Sequence, residues 1–335
     1  MVKAKVWVMK KRFVGEPKPD DFAIMEEDLP PLKDNEILAE AVIWSVDPFN
    51  RAYAGMLPEG APMIGFQVAK VVESKDSNYP VGKLIGSSFG WRTHTVYGPE
   101  KLAQYRSAPV LLLNEALDLP VSLSVGVLGM PGNTAYYGVF DIFKPKGGET
   151  LVVNAAAGAV GSVVGQIGKI LGLNVIGYAG SDDKIDWLKS AGFDHAFNYK
   201  KVDLAQSLKQ AAPKGVDFFF DNVGGMFAQT VHQHMNAGGR VAQCGCIGQY
   251  NATSPVLVPD PLGIFVAKQL TVVGFHASQF YPHATDNAIK QMAQWIKEGK
   301  LKYQETVYEG FDKMPTALIE LLQGKNNGKA VIKAS

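Results

Sequence analysis

The stretch 151–168, LVVNAAAGAVGSVVGQIG, constrains the fold more than any other part of the chain. An apolar run stops at a cluster of small residues and resumes as a mixture of small and apolar ones, which predicts strand, tight turn and helix. Within it Ala156, Gly158 and Gly161 have the spacing of the dinucleotide fingerprint, with alanine at the first glycine position. The second glycine lets backbone approach a pyrophosphate, and the third lets the helix lie against the strand. Unpaired N–H groups and the helix dipole then make the helix N-terminus an anion site without any basic side chain. A helix merely packed through Gly and Ala would explain the composition, but not the placement between a strand and a helix.

At 335 residues the length favours two domains, and 47% hydrophobic content is ample for their cores. A formal net charge of +1 gives no broad attraction to nucleic acid or anionic membrane, so small molecules are the expected partners. The two cysteines, Cys244 and Cys246, stand one residue apart, where a disulfide would be strained. That usage predicts a reducing, cytoplasmic setting. The first 13 residues carry no apolar run of signal-peptide length, and no window reaches the length of a membrane span.

Short β-like runs at 2–8, 37–46, 67–73 and 93–96, punctuated by Gly and Pro, predict a β-rich first domain that ends near 120–124. After a helical stretch at 134–143 and the fingerprint, strands expected at 174–178, 196–199, 216–220, 240–244 and 270–275 alternate with helices such as 184–191 and 226–235. That alternation implies a doubly wound parallel sheet with right-handed crossovers. A last amphipathic helix at 286–298 precedes a tail whose final strand, 330–333, is placed to rejoin the N-terminal β unit. The expected organisation is therefore a Rossmann domain, 125–298, inserted into a β-rich domain made of 1–124 and 299–335.

The choice between NAD and NADP falls just past the second strand, where a carboxylate binds a ribose 2′-hydroxyl and a cation accepts a 2′-phosphate. No acid ends that strand. Asp182 and Asp183 follow Ser181, a natural N-cap, and have a structural explanation in the first helical turn, whereas Lys184 and Tyr199 are available to a phosphate. The balance favours NADP. Cys244 with Cys246, and His232 with His234, invite a metal reading, but neither has a second ligand pair at finger-like spacing. Half-turn histidines on a helix do not share a face, so core thiols and a solvated helix surface are expected instead. The Gly86–Gly90 match to a nucleophile elbow is followed by a strand-like rather than a helical pattern, and Tyr97 with Lys101 copies a dehydrogenase pair outside its helical setting. Both read as coincidences. At the carboxyl ends of the later strands, Tyr250 has a hydroxyl to offer a ligand, its bland alternative being a packed loop aromatic. Asn222 has an amide for the cofactor, its alternative being a turn former.

The chain resembles, end to end, the prostaglandin reductase family in the zinc-independent branch of the medium-chain dehydrogenase/reductases. The resemblance is carried by KKRFVGEP at Lys10, LPPLKDNE at Leu29, VDPFNR at Val46, QVAKVVES at Gln67, GMPGNTAYYG at Gly129, NAAAGAVGSVVGQIGK at Asn154, GSDDK at Gly180, FNYK at Phe197, FDNVGG at Phe220 and GKNNGK at Gly324. It implies a GroES-like catalytic domain, a Rossmann domain, NADPH and a homodimer. The positions matching the family's cofactor contacts are Gly158, Ala159, Val160, Gly161, Lys184, Tyr199, Asn222, Cys244, Gly245, Cys246, Ile247, Gly248, Gln249, Tyr250, Phe275, His276, Ala277 and Asn326. Two departures, Phe49 where the family has tyrosine and Phe66 where it has glutamine, bear on substrate identity. The GHE motif and cysteine array of zinc-dependent relatives are missing, in keeping with a site that uses no metal.

The activity so implied is NADPH-dependent reduction of the carbon–carbon double bond of an α,β-unsaturated ketone or aldehyde, of the 15-oxoprostaglandin or alkenal type. As hydride reaches the β-carbon, negative charge gathers on the carbonyl oxygen, and the site needs a donor aimed at that enolate. Tyr250 is the candidate, and Phe49, Tyr53, Phe66, Trp91 and Phe275 are the expected apolar pocket. Quinone reduction, or NADP-dependent oxidation of a 12-hydroxy eicosanoid, would use the same cofactor. A non-catalytic NADPH-binding protein would keep the fold without turnover.

Overall fold

The computed structural model describes residues 2–101, 110–113, 117–276 and 285–334. It divides into two compact units, one formed by Met1–Gly126 with Glu305–Ser335, the other by Val127–Gln304. Residues 299–304, grouped with the β-rich domain because they follow the last helix, belong with the second unit. Gln166 holds them there, its amide donating to the Lys302 carbonyl at 2.9 Å and accepting from the Lys302 N–H at 2.7 Å.

The second unit is built on a parallel sheet in the order His195–Asn198, Asn174–Ala179, Thr150–Val153, Val216–Asp221, Met235–Gln243, Thr271–Gly274. The strand order reverses beside Thr150–Val153, and the loops that follow this strand and Val216–Asp221 flank that switch point. Thr150–Val153 is wholly buried, as expected of a strand covered by helices on both faces. The helix Gly161–Ile170 meets it at Gly168, where a Cβ would stand 2.9 Å from the Leu151 side chain, while a Cβ on Gly161 would stand 2.5 Å from the Ala155 carbonyl oxygen of the preceding turn and one on Gly165 1.9 Å from the Phe193 ring. The helical stretch expected at 134–143 is an α-helix, Met130–Tyr137, that continues as a π-helical turn, Gly138–Phe143, where Gly138 meets the Phe220 ring. The 226–235 helix and 240–244 strand shift to Gly225–His234 and Met235–Gln243, the strand gaining residues at its start.

The first unit holds a mixed sheet in the order Glu305–Glu309, Lys329–Lys333, Ile37–Val46, Gln67–Ser74, Leu84–Ser87, Leu111–Leu112, with His94–Tyr97 also paired to Ile37–Val46. Lys3–Met9 and Phe22–Asp28 form a separate antiparallel pair. The tail strand does rejoin the β unit, Ala330 standing opposite Val46 in an antiparallel register. Among the described residues no helix is long and apolar enough to cross a membrane.

Candidate functional site

The fingerprint segment has the strand, turn and helix its spacing predicts. Ala155 adopts a left-handed φ of 45°, and the turn closes through Gly158 N–H to Ala155 O at 3.0 Å. Gly158, Ala159 and Val160 stay half-exposed at the helix entrance, and the N-cap, Val160, supplies no side-chain cap. The N–H groups of Ser162 and Val163 donate to the Gly158 and Val160 carbonyls at 3.1 Å, and the positive end of the helix dipole is what this N-terminus offers an anion.

Beyond the second strand, Ser181 occupies the N-cap position, although it makes no capping hydrogen bond to the helix backbone. Its side chain goes instead to Asp183, whose carboxyl is held below its ordinary value first by that bond. Asp182 is committed as well, to the ammonium of Lys201 and to the Asn198 amide at 2.8 Å. Neither acid is placed as a dedicated partner for a 2′-hydroxyl. Lys184 is half-buried, and its pKa is lowered by burial, with Asp183 opposing and the charge of Lys200 adding to the shift. Lys200 lies 6.0 Å from the centroid of the exposed Tyr199 ring, and both approach Gly180. Two cations thus lie near one another, one of them close to an exposed aromatic ring, and the charge of each disfavours that of the other. Lys200 was not singled out from the sequence; a second lysine directly after Tyr199 was the available signal.

At the switch point one buried residue, Asp221, gathers three loops. Asp221 Oδ1 accepts from Asn154 Nδ2 at 2.7 Å, Val223 N–H at 2.9 Å and Gly224 N–H at 2.8 Å, while the Asp221 carbonyl accepts from the N–H groups of Cys244 and Gly245. Asn154 in turn accepts from the Asn222 N–H at 2.7 Å, and Asn222 Nδ2 donates to the Asn154 carbonyl at 3.0 Å. The turn-forming role of Asn222 is thus present, and it turns the side chain inward. In the 244–250 loop, Tyr250 Oη accepts from the Cys246 N–H at 3.3 Å and its hydrogen bond to the Cys246 side chain partly offsets the burial that raises that thiol. The Cys244 thiol is pushed up to about 12 by burial and by the charge of Asp221. Both residues keep part of their surface accessible, but the Cys244 thiol itself is enclosed, as a core thiol is, and the Cys246 thiol is more open. A metal ligand must be thiolate, which this environment resists.

His232 corrects an expectation. It is buried, not on a solvated face, wedged between the Phe219 and Phe265 rings at 5.9 and 5.1 Å, and burial lowers its pKa. Among the described residues no group of three His, Cys, Asp or Glu could hold a metal ion. The Gly86–Gly90 segment runs from the end of strand Leu84–Ser87 toward strand His94–Tyr97, not into a helix, so it forms no nucleophile elbow.

Of the expected pocket aromatics, Phe275 is half-buried in the second unit, edge-on to Phe220 at 5.9 Å. His276 beside it is exposed, and Ala277 lies outside the described residues. In the first unit Phe49 and Tyr53 share one side of a single helical turn, their rings 6.4 Å apart. Phe66 is half-buried and packs on the Ile43, Val68, Val125 and Val331 cluster. Trp91 is wholly covered, stacked on Phe22 and pressed on Gly65, so it supports the interior and offers no pocket surface. Asn326 is also in the first unit, its amide donating to the Gly328 carbonyl.

Comparison with known proteins adds independent findings. A family described as the N-terminal domain of oxidoreductase matches residues 5–105, and one described as zinc-binding dehydrogenase matches 159–298. The chain is 48% identical to prostaglandin reductase 1 of Bos taurus, with all of both chains covered. It is 37% identical to a 2-alkenal reductase (NADP(+)-dependent) of Nicotiana tabacum, covering 100% of this chain and 98% of that one. The crystal structure of CurA in complex with NADPH from Vibrio vulnificus superposes with a TM-score of 0.89 at 36% identity over 99% of each chain.

The Asp221 network makes a prediction. Asp221→Ala removes the acceptor of three donors and should lower stability to denaturant by at least about 3 kcal/mol, whereas Asp221→Asn, which keeps an oxygen at Oδ1, should lose about 1 kcal/mol. Equal losses in urea unfolding would contradict the network.

Proposed function

Since the chain belongs to the prostaglandin reductase family of the medium-chain dehydrogenase/reductases, we propose that it reduces the carbon–carbon double bond of α,β-unsaturated ketones and aldehydes with NADPH. The observation that carries the reading is full-length similarity to prostaglandin reductase 1, at 48% identity. The cofactor fits residues present here. The glycine-cleared helix entrance at Gly158 and Gly161 would hold the pyrophosphate, where any Cβ at Gly161 would collide with backbone. Lys184, Lys200 and Tyr199 would hold the 2′-phosphate, and the loops at Asn222 and 244–250 the remainder. Bound NADPH supplies the hydride that the β-carbon accepts.

The chain's own part is to orient the enone and to stabilise the oxygen that becomes negative. Tyr250 is the proposed donor, the Phe49 and Tyr53 face an apolar surface for the substrate, and solvent the source of the final α-proton. Phe49 has no hydroxyl where the family has tyrosine, which favours apolar, lipid-like enones. A second reading of Tyr250 rests on its hydrogen bonds to Cys246, which make it a clasp for its own loop. Tyr250→Phe separates the two. A donor to the enolate predicts turnover reduced by roughly a hundred- to thousandfold, or about 2.7 to 4 kcal/mol. A clasp predicts a lower melting temperature or a weaker cofactor constant with turnover intact.

The proposal includes a reducing cytoplasmic setting and a homodimer. Support for the dimer comes from the outermost strand, Thr271–Gly274, with exposed Val272, and the neighbouring helix Leu262–Lys268, with Leu262 and Val266 exposed. Sedimentation should give a dimer at micromolar concentration; a monomer refutes it.

Two measurements test the function. NADPH oxidation should be driven by a panel of apolar enones and enals, with saturated carbonyl products, and failure across the panel would overturn the reading. Lys184→Ala and Lys200→Ala should each weaken NADPH binding by about 1 to 3 kcal/mol while leaving NADH nearly unchanged. Equal losses for the two cofactors would show that these lysines do not read the phosphate.

A further inference from the structure

A charged pair lies sealed inside the first unit. Lys329 Nζ stands 3.2 Å from Asp47 Oδ1, and the two residues are 3% and 4% exposed. Burial lowers the lysine's pKa, with Asp47 and Glu305 opposing. Such a pair is costly to desolvate, and a well-packed apolar pair would serve stability as well or better. What it supplies is geometry. The ammonium also donates to the Val46 carbonyl at 2.6 Å and the Ala330 carbonyl at 2.7 Å, so one cation pins the end of the Ile37–Val46 strand to the C-terminal strand Lys329–Lys333.

Asp47 passes the constraint on. Its other oxygen accepts from Ser45 Oγ, and its N–H donates to Asn50 Oδ1 at 2.7 Å. Asn50, fully buried, donates in turn to the Ile64 carbonyl at 2.7 Å, two residues before Phe66. The turn between Asp47 and Asn50 is thereby fixed at both ends, and it begins the helical turn Phe49–Ala52 that carries Phe49 and leads into Tyr53. Arg51 steadies the same turn from outside, donating to the Gly15 carbonyl at 3.0 Å and lying over the Phe13 ring.

We propose that Asp47 and Lys329 are positioning residues for substrate choice: their buried pair sets the turn that presents Phe49 and Tyr53, and through Asn50 the approach to Phe66. The inference rests on the enone-reductase reading above. It predicts that breaking the pair changes how enones of different bulk are bound while leaving the glycine-rich turn and the lysines proposed for the 2′-phosphate, all built in the other unit, unaltered.

The test uses the full chain as Lys329→Met and as the charge-free pair Asp47→Asn with Lys329→Met, the latter removing the uncompensated buried carboxylate that threatens folding of the former. Each is compared with wild type in NADPH dissociation constant, melting temperature, and kcat and KM for trans-2-nonenal and for a bulkier phenyl-substituted enone, all well below the melting temperature. Expected is a rise in KM of about tenfold for one of the two enones and a shift of about fivefold or more in their kcat/KM ratio, with the NADPH constant within about twofold of wild type. A folded variant with both KM values and their ratio unchanged would overturn the inference, as would NADPH binding lost in parallel. Failure of both variants to fold would also overturn it, by assigning the pair to stability. A wild-type protein that reduces neither enone would instead strike the functional reading, so the two failures are told apart.

Discussion

The second unit depends on a carboxylate that never reaches the surface. Asp221 ends a central strand, beside the point where strand order reverses, and its oxygens collect donors from the loop after the fingerprint strand, from its own turn and from the loop that carries Tyr250. Backbone N–H groups at strand ends must be satisfied somewhere, and in a crevice that has to admit a ligand water is an imprecise partner. The carboxylate holds the loop after the fingerprint strand and its own turn, and the Asp221 carbonyl holds the loop that carries Tyr250, so one residue gives the three a common position. It also links distant residues: Asn154, just before the glycine-rich turn, bonds both Asp221 and Asn222, so the turns that follow the strands Thr150–Val153 and Val216–Asp221 are set by a single cluster. Neutral thiols at Cys244 and Cys246 follow from the same enclosure.

Much of this was legible in the sequence where it was local. The break from apolar run to small residues at 151–161 located strand, turn and helix, because that signal is written in consecutive residues, and the steric need for Gly161 is a matter of its own turn. The acids after the second strand read as structural from the N-cap at Ser181, yet the residues that occupy Asp182 are Lys201 and Asn198, far enough along the chain that no spacing rule names them. Contacts across the sheet were not legible. Asp221 and Asn154 are 67 residues apart, and only the parallel pairing of their strands brings them together. His232 shows the same limit in reverse, since helical spacing gave it a solvated face while Phe219 and Phe265 close over it.

The aromatics chosen for a pocket divide by burial in a way that composition does not reveal. Trp91 is wholly covered and Phe66 half-buried against an apolar cluster, whereas Phe49 and Tyr53 sit on a short helical turn, Phe49 half-buried and Tyr53 exposed. A four-residue helix has too few hydrogen bonds to fix itself. Its geometry is therefore borrowed from a buried ion pair with the C-terminal strand, which gives the tail of the chain a reason to return to the N-terminal unit beyond completing a sheet. Charge sealed in a core is an inefficient way to gain stability and an effective way to specify one arrangement.

The central claim, reduction of the carbon–carbon bond rather than of the carbonyl, is tested most directly by tracing the transferred hydrogen. With NADPH deuterated at the reacting carbon and an apolar enone in excess, the account predicts a saturated ketone that carries the label on its β-carbon. Label on the carbinol carbon of an allylic alcohol would contradict it.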